Sequence, residues 1–323
     1  MFPTPEEIAG AVWHLRAGRL VAFPTETVYG LGADAFSAGA VDAVFALKGR
    51  PGKNPLIVHV ADVDMARGAV ADWPREAQLL ADAFWPGPLT IVLPKAANVP
   101  DRVTGGGSNV AVRCPDHPVT LSLLTAFGGP LVGPSANPSG RVSPTAAAHV
   151  RAYFAPQQVM VLDGGACRAG IESTVVTLTG SGPRVVRLGV VGAAEIAKVL
   201  GVSVESGSES GDGTGAMPSP GMLANHYAPR TPASLVNSNA ILTGLADRTR
   251  TFAVLTRQSL TNETPHTLIA MPTDAAGYAA NLYAALMRAD AANVDAILIE
   301  RPDISDGDPL WGAIMDRLQR ATA

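Results

Sequence analysis

The segment Lys48-Gly-Arg-Pro-Gly-Lys-Asn-Pro-Leu56 places three cations within six residues, among glycine and proline. Such a loop is pre-shaped by its prolines, and cations held in a fixed fork are suited to phosphate oxygens. It is not a Walker A loop. Only two residues separate Gly49 from Gly52, and Asn54 stands where a Ser or Thr hydroxyl would be needed for Mg²⁺.

Five other polar stretches interrupt the apolar runs. Phe23-Pro-Thr-Glu-Thr-Val-Tyr-Gly-Leu-Gly32 offers Thr25, Glu26 and Thr27 to a small polar ligand, with Gly30 and Gly32 allowing close backbone approach. Trp85-Pro-Gly-Pro-Leu-Thr90 reads as a rigid turn feeding a strand. In Val110-Ala-Val-Arg113 the arginine ends an apolar strand and needs an anion, either a ligand carboxylate or a structural salt bridge. Gly133-Pro-Ser-Ala-Asn-Pro-Ser-Gly140 carries Ser135 and Asn137 on a loop stiffened by proline, and Arg141 and Ser143 follow at the expected entrance to a helix, where phosphate is favoured. Gly170-Ile-Glu-Ser-Thr-Val175 adds Ser173 and Thr174, and Arg187 ends a further strand before Gly189. His59, alone on its strand, reads as a satisfied structural residue. No Ser-His-Asp, Cys-His or H-E-x-x-H arrangement is present. The inventory suits binding and orienting phosphates, with catalysis by positioning and charge neutralisation.

The elements that must hold these loops alternate. Strands are expected at Leu20–Phe23, Leu56–Val60, Thr90–Leu93, Val110–Arg113, Leu131–Val132, Val159–Leu162, Ser173–Leu178 and Val185–Leu188. Helices are expected at Ala38–Lys48, Trp73–Phe84, Pro118–Phe127 and Pro144–Tyr153. An N-terminal helix starts at Thr4-Pro5-Glu6-Glu7, a capping box with proline at the first helical position, and Gly18 ends it. The run Glu205–Gly215 has no apolar residue, which predicts a flexible linker with ends on the order of 18 Å apart. Beyond it, strands at Thr251–Leu255, His266–Ala270 and Val294–Ile299 alternate with helices at Ala275–Ala291 and about Pro309–Arg320, a smaller α/β domain.

Composition narrows the class. The 323 residues are 47% apolar and 16% charged, enough for two cores, and 33 Gly and 26 Pro break the apolar runs well short of a membrane span. With no signal peptide, the expected location is the cytoplasm. Cys114 and Cys167 are the only cysteines, which predicts two buried free thiols and neither a disulfide framework nor structural zinc. Residues 1–204 hold 16 Lys+Arg against 15 Asp+Glu, and the remainder hold 8 against 13. Neither balance is that of a protein built to grip a nucleic-acid backbone.

Taken together and in this order, PTETVYGLG, KGRPGKNPLIVHV, FWPGPLT, VAVRCPDHP, GPSANPSGR and GIESTVV resemble the motifs of the YrdC-like threonylcarbamoyl-AMP synthases, over about residues 20–190. Ser219-Pro-Gly-Met-Leu-Ala-Asn-His-Tyr-Ala-Pro229 resembles the segment that marks the two-domain form of that family. The resemblance implies a YrdC-like twisted, mostly mixed sheet with helices forming a concave site over residues 1–204. It also implies a flexible linker and active-site lid over 205–230 and a Rossmann-like α/β domain over 231–323. The implied reaction joins L-threonine, bicarbonate or CO₂, and ATP into threonylcarbamoyl-AMP and pyrophosphate, the first step of threonylcarbamoyladenosine formation on tRNA. By motif position, Thr27, His59, Arg113, Gly133 and Ser173 would hold L-threonine. Lys48, Arg50, Asn54, Asn109, Ser135, Asn137, Ser143, Arg187 and Tyr227 would hold ATP with Mg²⁺ on its phosphates, and Lys48, Arg50 and Arg113 would carry the catalytic charge. Asn109 stands where the family usually has threonine, and Asn225 lies where basic residues are common. The product would pass to a tRNA threonylcarbamoyl transferase, with weak or no direct tRNA binding and no membrane. The rival reading is a double-stranded RNA or tRNA-binding module without turnover. Carbamoyl transfer in hydrogenase maturation, where a similar domain occurs, would need Cys-rich zinc modules that two isolated cysteines cannot form.

Overall fold

The computed structural model describes residues 3–207, 227–247, 249–260, 265–304 and 307–323. It divides into two compact units: the described residues of Met1–Ser139, Pro144–Arg168 and Glu172–Met222, and those of Gly140–Ser143, Ala169–Ile171 and Leu223–Ala323.

The first unit is built on β1 (Leu20–Phe23), β2 (Gly30–Asp34), β3 (Ile57–His59), β4 (Leu89–Pro94), β5 (Asn109–Arg113), β6 (Leu131–Val132), β7 (Val159–Val161), β8 (Thr174–Thr177), β9 (Arg184–Arg187) and β10 (Glu205–Ser206). They form one mixed sheet in the order β10-β9-β8-β4-β5-β3-β6-β2-β1-β7. Its helices are α1 (Pro5–Arg16), α2 (Ala38–Lys48), α3 (Val63–Arg67), α4 (Arg75–Phe84), α5 (Asp101–Thr104), α6 (Pro118–Phe127), α7 (Ala147–Tyr153) and α8 (Ala193–Leu200). Local chemistry explains the ends. Thr4 and Glu7 close the capping box of α1, and α2 runs from the Ser37 cap to Gly49, which takes the left-handed conformation at φ 59°. Strand cores are fully buried runs such as Leu89–Leu93, the pattern of a sheet covered on both faces.

In the second unit β11 (Ala233–Val236), α9 (Ser238–Ala246), β12 (Phe252–Thr256), β13 (Thr267–Ala270), α10 (Ala275–Asp290), β14 (Ala296–Glu300) and α11 (Leu310–Ala321) follow in sequence. The four strands are all parallel, in the order β11-β14-β12-β13, the Rossmann-like arrangement expected. Glu300 pins the strand ends by accepting from Ser238 Oγ, Thr256 Oγ1, the Arg257 amide and Gln258 Nε2.

Several elements differ from the sequence reading. Strand β2 is not among the expected strands; Gly30 and Gly32 were read as allowing close backbone approach to a ligand, yet they serve a strand. A Cβ at Gly30 would come within 2.7 Å of the Phe23 ring, and one at Gly32 within 2.9 Å of both that ring and the Val21 carbonyl. The glycines make room for Phe23, not for a ligand. Helix α4 begins two residues late, behind Pro74, whose missing N–H suits a helix boundary. Helix α7 begins at Ala147 and not Pro144, so Ser143 does not stand at a helix N-terminus. At the expected linker, Glu205 and Ser206 pair in parallel with Arg184 and Val185, because the edge of β9 supplies backbone partners that composition alone does not reveal. Residues 208–226 of the expected linker and lid, including Asn225, lie outside the described residues.

Gly32→Ala should lower stability by about 1–3 kcal/mol, the usual cost of forcing a methyl into a filled core. Urea denaturation would show it as a lower midpoint at unchanged slope.

Candidate active site

The sheet register sets site residues side by side. His59 pairs with Arg113 across β3 and β5, and Ile91 opposite Val112 brings Thr90 of β4 beside Arg113. The Thr90 and Ser173 hydroxyls meet at 2.8 Å, and Val175 faces Arg187 across β8 and β9. One edge of the sheet thus carries, in spatial order, Arg187, Ser173, Thr90, Arg113 and His59. Each of them is at least nine-tenths buried. They come from strand ends that run in both directions, so sequence order alone does not show the row.

Arg113 sits at the centre of this row. Its Nε donates to the Gly87 carbonyl at 3.2 Å, and its Nη2 lies 2.8 Å from Glu26 Oε2 with both side chains 4% exposed. The contact is a charge pair more than a directed hydrogen bond, since neither Arg113 Nη2 nor either Glu26 oxygen has a well-aligned partner among the described residues. The Trp85–Thr90 stretch, read as a rigid turn feeding a strand, also supplies an oxygen to Arg113. Of the two partners left open for Arg113, the structure presents the protein's own carboxylate.

His59 packs edge-on against Phe23 with ring centroids 5.4 Å apart. Its Nδ1 has no hydrogen-bond partner among the described residues. Burial first, then the charge of Arg113, hold its pKa well below the ordinary 6.5, so the ring is neutral. Gly133 is required beside it, because a Cβ there would stand 2.6 Å from His59 Nδ1 and 2.7 Å from the Phe23 ring. In the loop after β1, the Thr25 hydroxyl accepts from the Thr27 and Val28 amides and touches the Thr27 hydroxyl at 2.8 Å. That turn faces Glu26 and Thr27, at 4% and 0% exposed, into the interior.

The cationic loop is tied to its neighbours by oxygens. Lys48 Nζ donates to the Ser135 and Asn137 carbonyls, each at 2.5 Å. Arg50 donates to the Asn54 carbonyl, to Asn54 Oδ1 at 2.8 Å and to the Pro55 carbonyl at 2.8 Å. Burial, and the charge of Arg50, depress the Lys48 pKa well below 10.5. Asn54 is fully buried, and its Nδ2 is a donor with no partner among the described residues, which fits an oxygen-rich ligand. The loop after β6 is held from the other side by Leu31 N donating to Pro134 O and Ala136 N to Tyr29 O. Arg187 directs Nε and Nη2 at the Ser173 carbonyl and Nη2 at the Ser173 hydroxyl, 2.9–3.0 Å away. It aligns Ser173 as well as offering charge.

Three expected residues are not part of this row. Asn109 begins β5, about 13 Å along the strand from Arg113 and level with Pro55. Ser143 is buried but groups with the second unit. Tyr227 belongs to that unit too, 1% exposed, at φ 65° and stacked on Tyr283 at 5.4 Å. Gly87 and Thr90 were not singled out as site residues, although both fall inside the FWPGPLT motif, and Glu26 was offered to a small polar ligand without a partner being assigned. No group of three His, Cys, Asp or Glu residues among the described residues would hold a metal ion. Both cysteines are buried and free, as expected. No described helix is long and apolar enough to cross a membrane.

The histidines set a pH dependence. His59, His117 and His149 are all lowered by burial, so the unfolded chain takes up protons at the ordinary 6.5 where the folded chain does not. That contribution is lost as the pH falls through 6.5. The denaturation midpoint should drop between about pH 7.5 and about pH 5.5, and His59→Gln should make the drop shallower.

Known proteins resemble this chain in sequence and fold. A family model described as "Telomere recombination" matches residues 14–189, and one described as "Threonylcarbamoyl-AMP synthase, C-terminal domain" matches residues 191–323. The threonylcarbamoyl-AMP synthase of Pyrococcus abyssi is 38% identical over 97% of this chain and 93% of its own length. That of Bacillus subtilis is 38% identical over 98% and 92%. A crystal structure of P. abyssi Sua5 complexed with L-threonine superposes with a TM-score of 0.87 at 37% identity, covering 98% of this chain and 94% of the other. Both family models, these relatives and the shared fold agree: the chain belongs to the threonylcarbamoyl-AMP synthase family in its two-domain form.

Proposed function

We propose that this protein is a nucleotidyltransferase that makes L-threonylcarbamoyl-AMP and pyrophosphate from L-threonine, bicarbonate-derived CO₂ and ATP, the first step of tRNA threonylcarbamoyladenosine formation. The observation that carries this reading is the buried row Arg187–Ser173–Thr90–Arg113–His59, adjoining a loop that carries Lys48 and Arg50. A zwitterionic amino acid and a polyphosphate each find matching groups there.

Arg113 receives the threonine carboxylate, and His59, Thr27, Gly133 and Ser173 surround the rest of the molecule. A neutral His59 suits this role, since it adds no competing cation beside Arg113. Lys48, Arg50, Asn54, Ser135, Asn137 and Arg187 take the triphosphate, with Mg²⁺ entering on the nucleotide. Asn109, Ser143 and Tyr227 remain proposed ATP contacts on motif position alone. The threonine ammonium loses a proton to solvent, the free amine captures CO₂ and releases a second proton, and a carbamate oxygen attacks the α-phosphorus. The bond to the β-phosphate oxygen breaks and pyrophosphate leaves. The chain provides no nucleophile of its own, so its contribution is alignment and neutralisation of charge developing on the leaving group. The product is a mixed anhydride, which a tRNA threonylcarbamoyl transferase would consume. The near-neutral charge of the first 204 residues supports this reading over an RNA-binding module.

Pyrophosphate release from ATP and bicarbonate should require L-threonine. In Arg113→Ala and Arg50→Ala the specificity constant should fall by the equivalent of ~2–5 kcal/mol, since each change strands buried charge or polar partners. Threonine-independent release would indicate a general nucleotide hydrolase. No release would favour the RNA-binding module, to be checked by salt-dependent tRNA binding.

A further inference from the structure

Glu26 is the carboxylate that meets the buried row at Arg113, and the proposed reaction leaves it without a task. Its side chain is 4% exposed, Oε2 pairs with Arg113 Nη2 at 2.8 Å, and Oε1 has no partner among the described residues. A buried anion with an unused acceptor is costly to fold around unless a ligand completes it. The groups that sense its charge are Arg113, Cys114 and Cys167, and His117 at the cap of α6. Burial pushes both thiols up to about 12 and lowers the His117 pKa, so all three are neutral at pH 7. The charges are therefore one carboxylate and one guanidinium in contact, each with hydrogen-bonding capacity left over.

An α-amino acid presents the complementary pattern, with an anion and a cation on one carbon. We propose that Glu26 Oε1 accepts the α-ammonium of the bound amino acid while Arg113 takes its carboxylate, so that the pair selects zwitterions over simple hydroxy acids. This assignment rests on the threonine reading of the site. It explains why Arg113 is not opposed by a better-aligned partner: two straight hydrogen bonds between Glu26 and Arg113 would satisfy the pair internally and leave nothing for a ligand. It also accounts for a carboxylate being kept where a threonine carboxylate must enter. Without the ammonium, the ligand's charge would meet Glu26 as well as Arg113 and be repelled. The ammonium turns that repulsion into attraction.

The test is calorimetric binding of L-threonine and of its desamino analogue, 3-hydroxybutyrate, to the full chain without ATP. Glu26→Gln keeps the shape and removes the charge. It should weaken L-threonine by ~10-fold or more, the scale of a hydrogen bond to a charged group, and leave 3-hydroxybutyrate unchanged or tighter. Equal weakening of both would mean that Glu26 merely props Arg113, and an unchanged threonine affinity would mean no contact. Either outcome overturns the assignment. A second arm needs no variant. As pH rises through the pKa of the threonine amine, wild-type affinity for L-threonine should fall while that for 3-hydroxybutyrate stays level, since the nearby thiols remain neutral over that range. Parallel curves would overturn the assignment. Wild-type protein that binds 3-hydroxybutyrate and L-threonine equally refutes the ammonium contact alone, whereas protein that binds neither refutes the threonine reading and the contact with it.

Discussion

A cation removed from water has to be met by oxygen, and the loops of this site are arranged around that requirement. Lys48 ends α2 inside the protein, where its Nζ donates to the carbonyls of Ser135 and Asn137. Those carbonyls face inward because prolines at 134 and 138 fix the loop and Tyr29 and Leu31 bond its backbone from β2. Arg50 likewise folds the chain that follows it, drawing in the oxygens of Asn54 and Pro55. Removing either cation would leave inward-facing carbonyls unpaired, at roughly 1–3 kcal/mol for each stranded group. The charges that would bind a polyphosphate are thus the same charges that hold its walls in place.

A second constraint is steric. Phe23 lies over a strip of backbone from which every Cβ is missing: Gly30, Gly32 and Gly133 would each collide with its ring. This packing brings His59 against Phe23 and within van der Waals reach of Gly133, which sets the imidazole's position without a hydrogen bond to Nδ1. The ring edge is then held by shape, and its polar atom stays available. A hydrogen bond in its place would have consumed the atom that a ligand can use.

Much of the first unit was legible because its signals are local. Ala38–Lys48 is bracketed by a serine cap and a left-handed glycine, and Leu20–Phe23 and Leu131–Val132 are apolar runs bounded by turn residues. Strand β2 was hidden because its two glycines, a feature used to recognise turns, are here required by a tertiary contact with Phe23. Helices α8 and α9 and strand β11 were also missed; α8 is short, and β11 has no fully buried residue to mark it. At the site, residue types could be read from the motifs, but pairings could not. Arg113 and Glu26 are far apart in the chain, and whether the arginine met a ligand or a side chain depended on strand order. The same holds for Ser173, whose alignment by Arg187 and Thr90 follows from β9, β8 and β4 lying together.

The two halves of the proposed site differ in how their charge is balanced, and that difference would divide the proposed substrates between them. Lys48, Arg50 and Arg187 donate to carbonyl, amide and hydroxyl oxygens. Such partners satisfy N–H groups without cancelling positive charge, as a polyanion requires. Arg113 meets a carboxylate, so its neighbourhood is close to neutral overall while remaining strongly dipolar. A neutral but dipolar pocket favours a neutral but dipolar ligand, and it penalises a phosphate placed there by mistake. In low-dielectric surroundings like-charge contacts cost several kcal/mol, so Glu26 would keep the nucleotide on its own side of the row. Orientation of the two reactants would then follow from charge alone, before any shape complementarity is called upon.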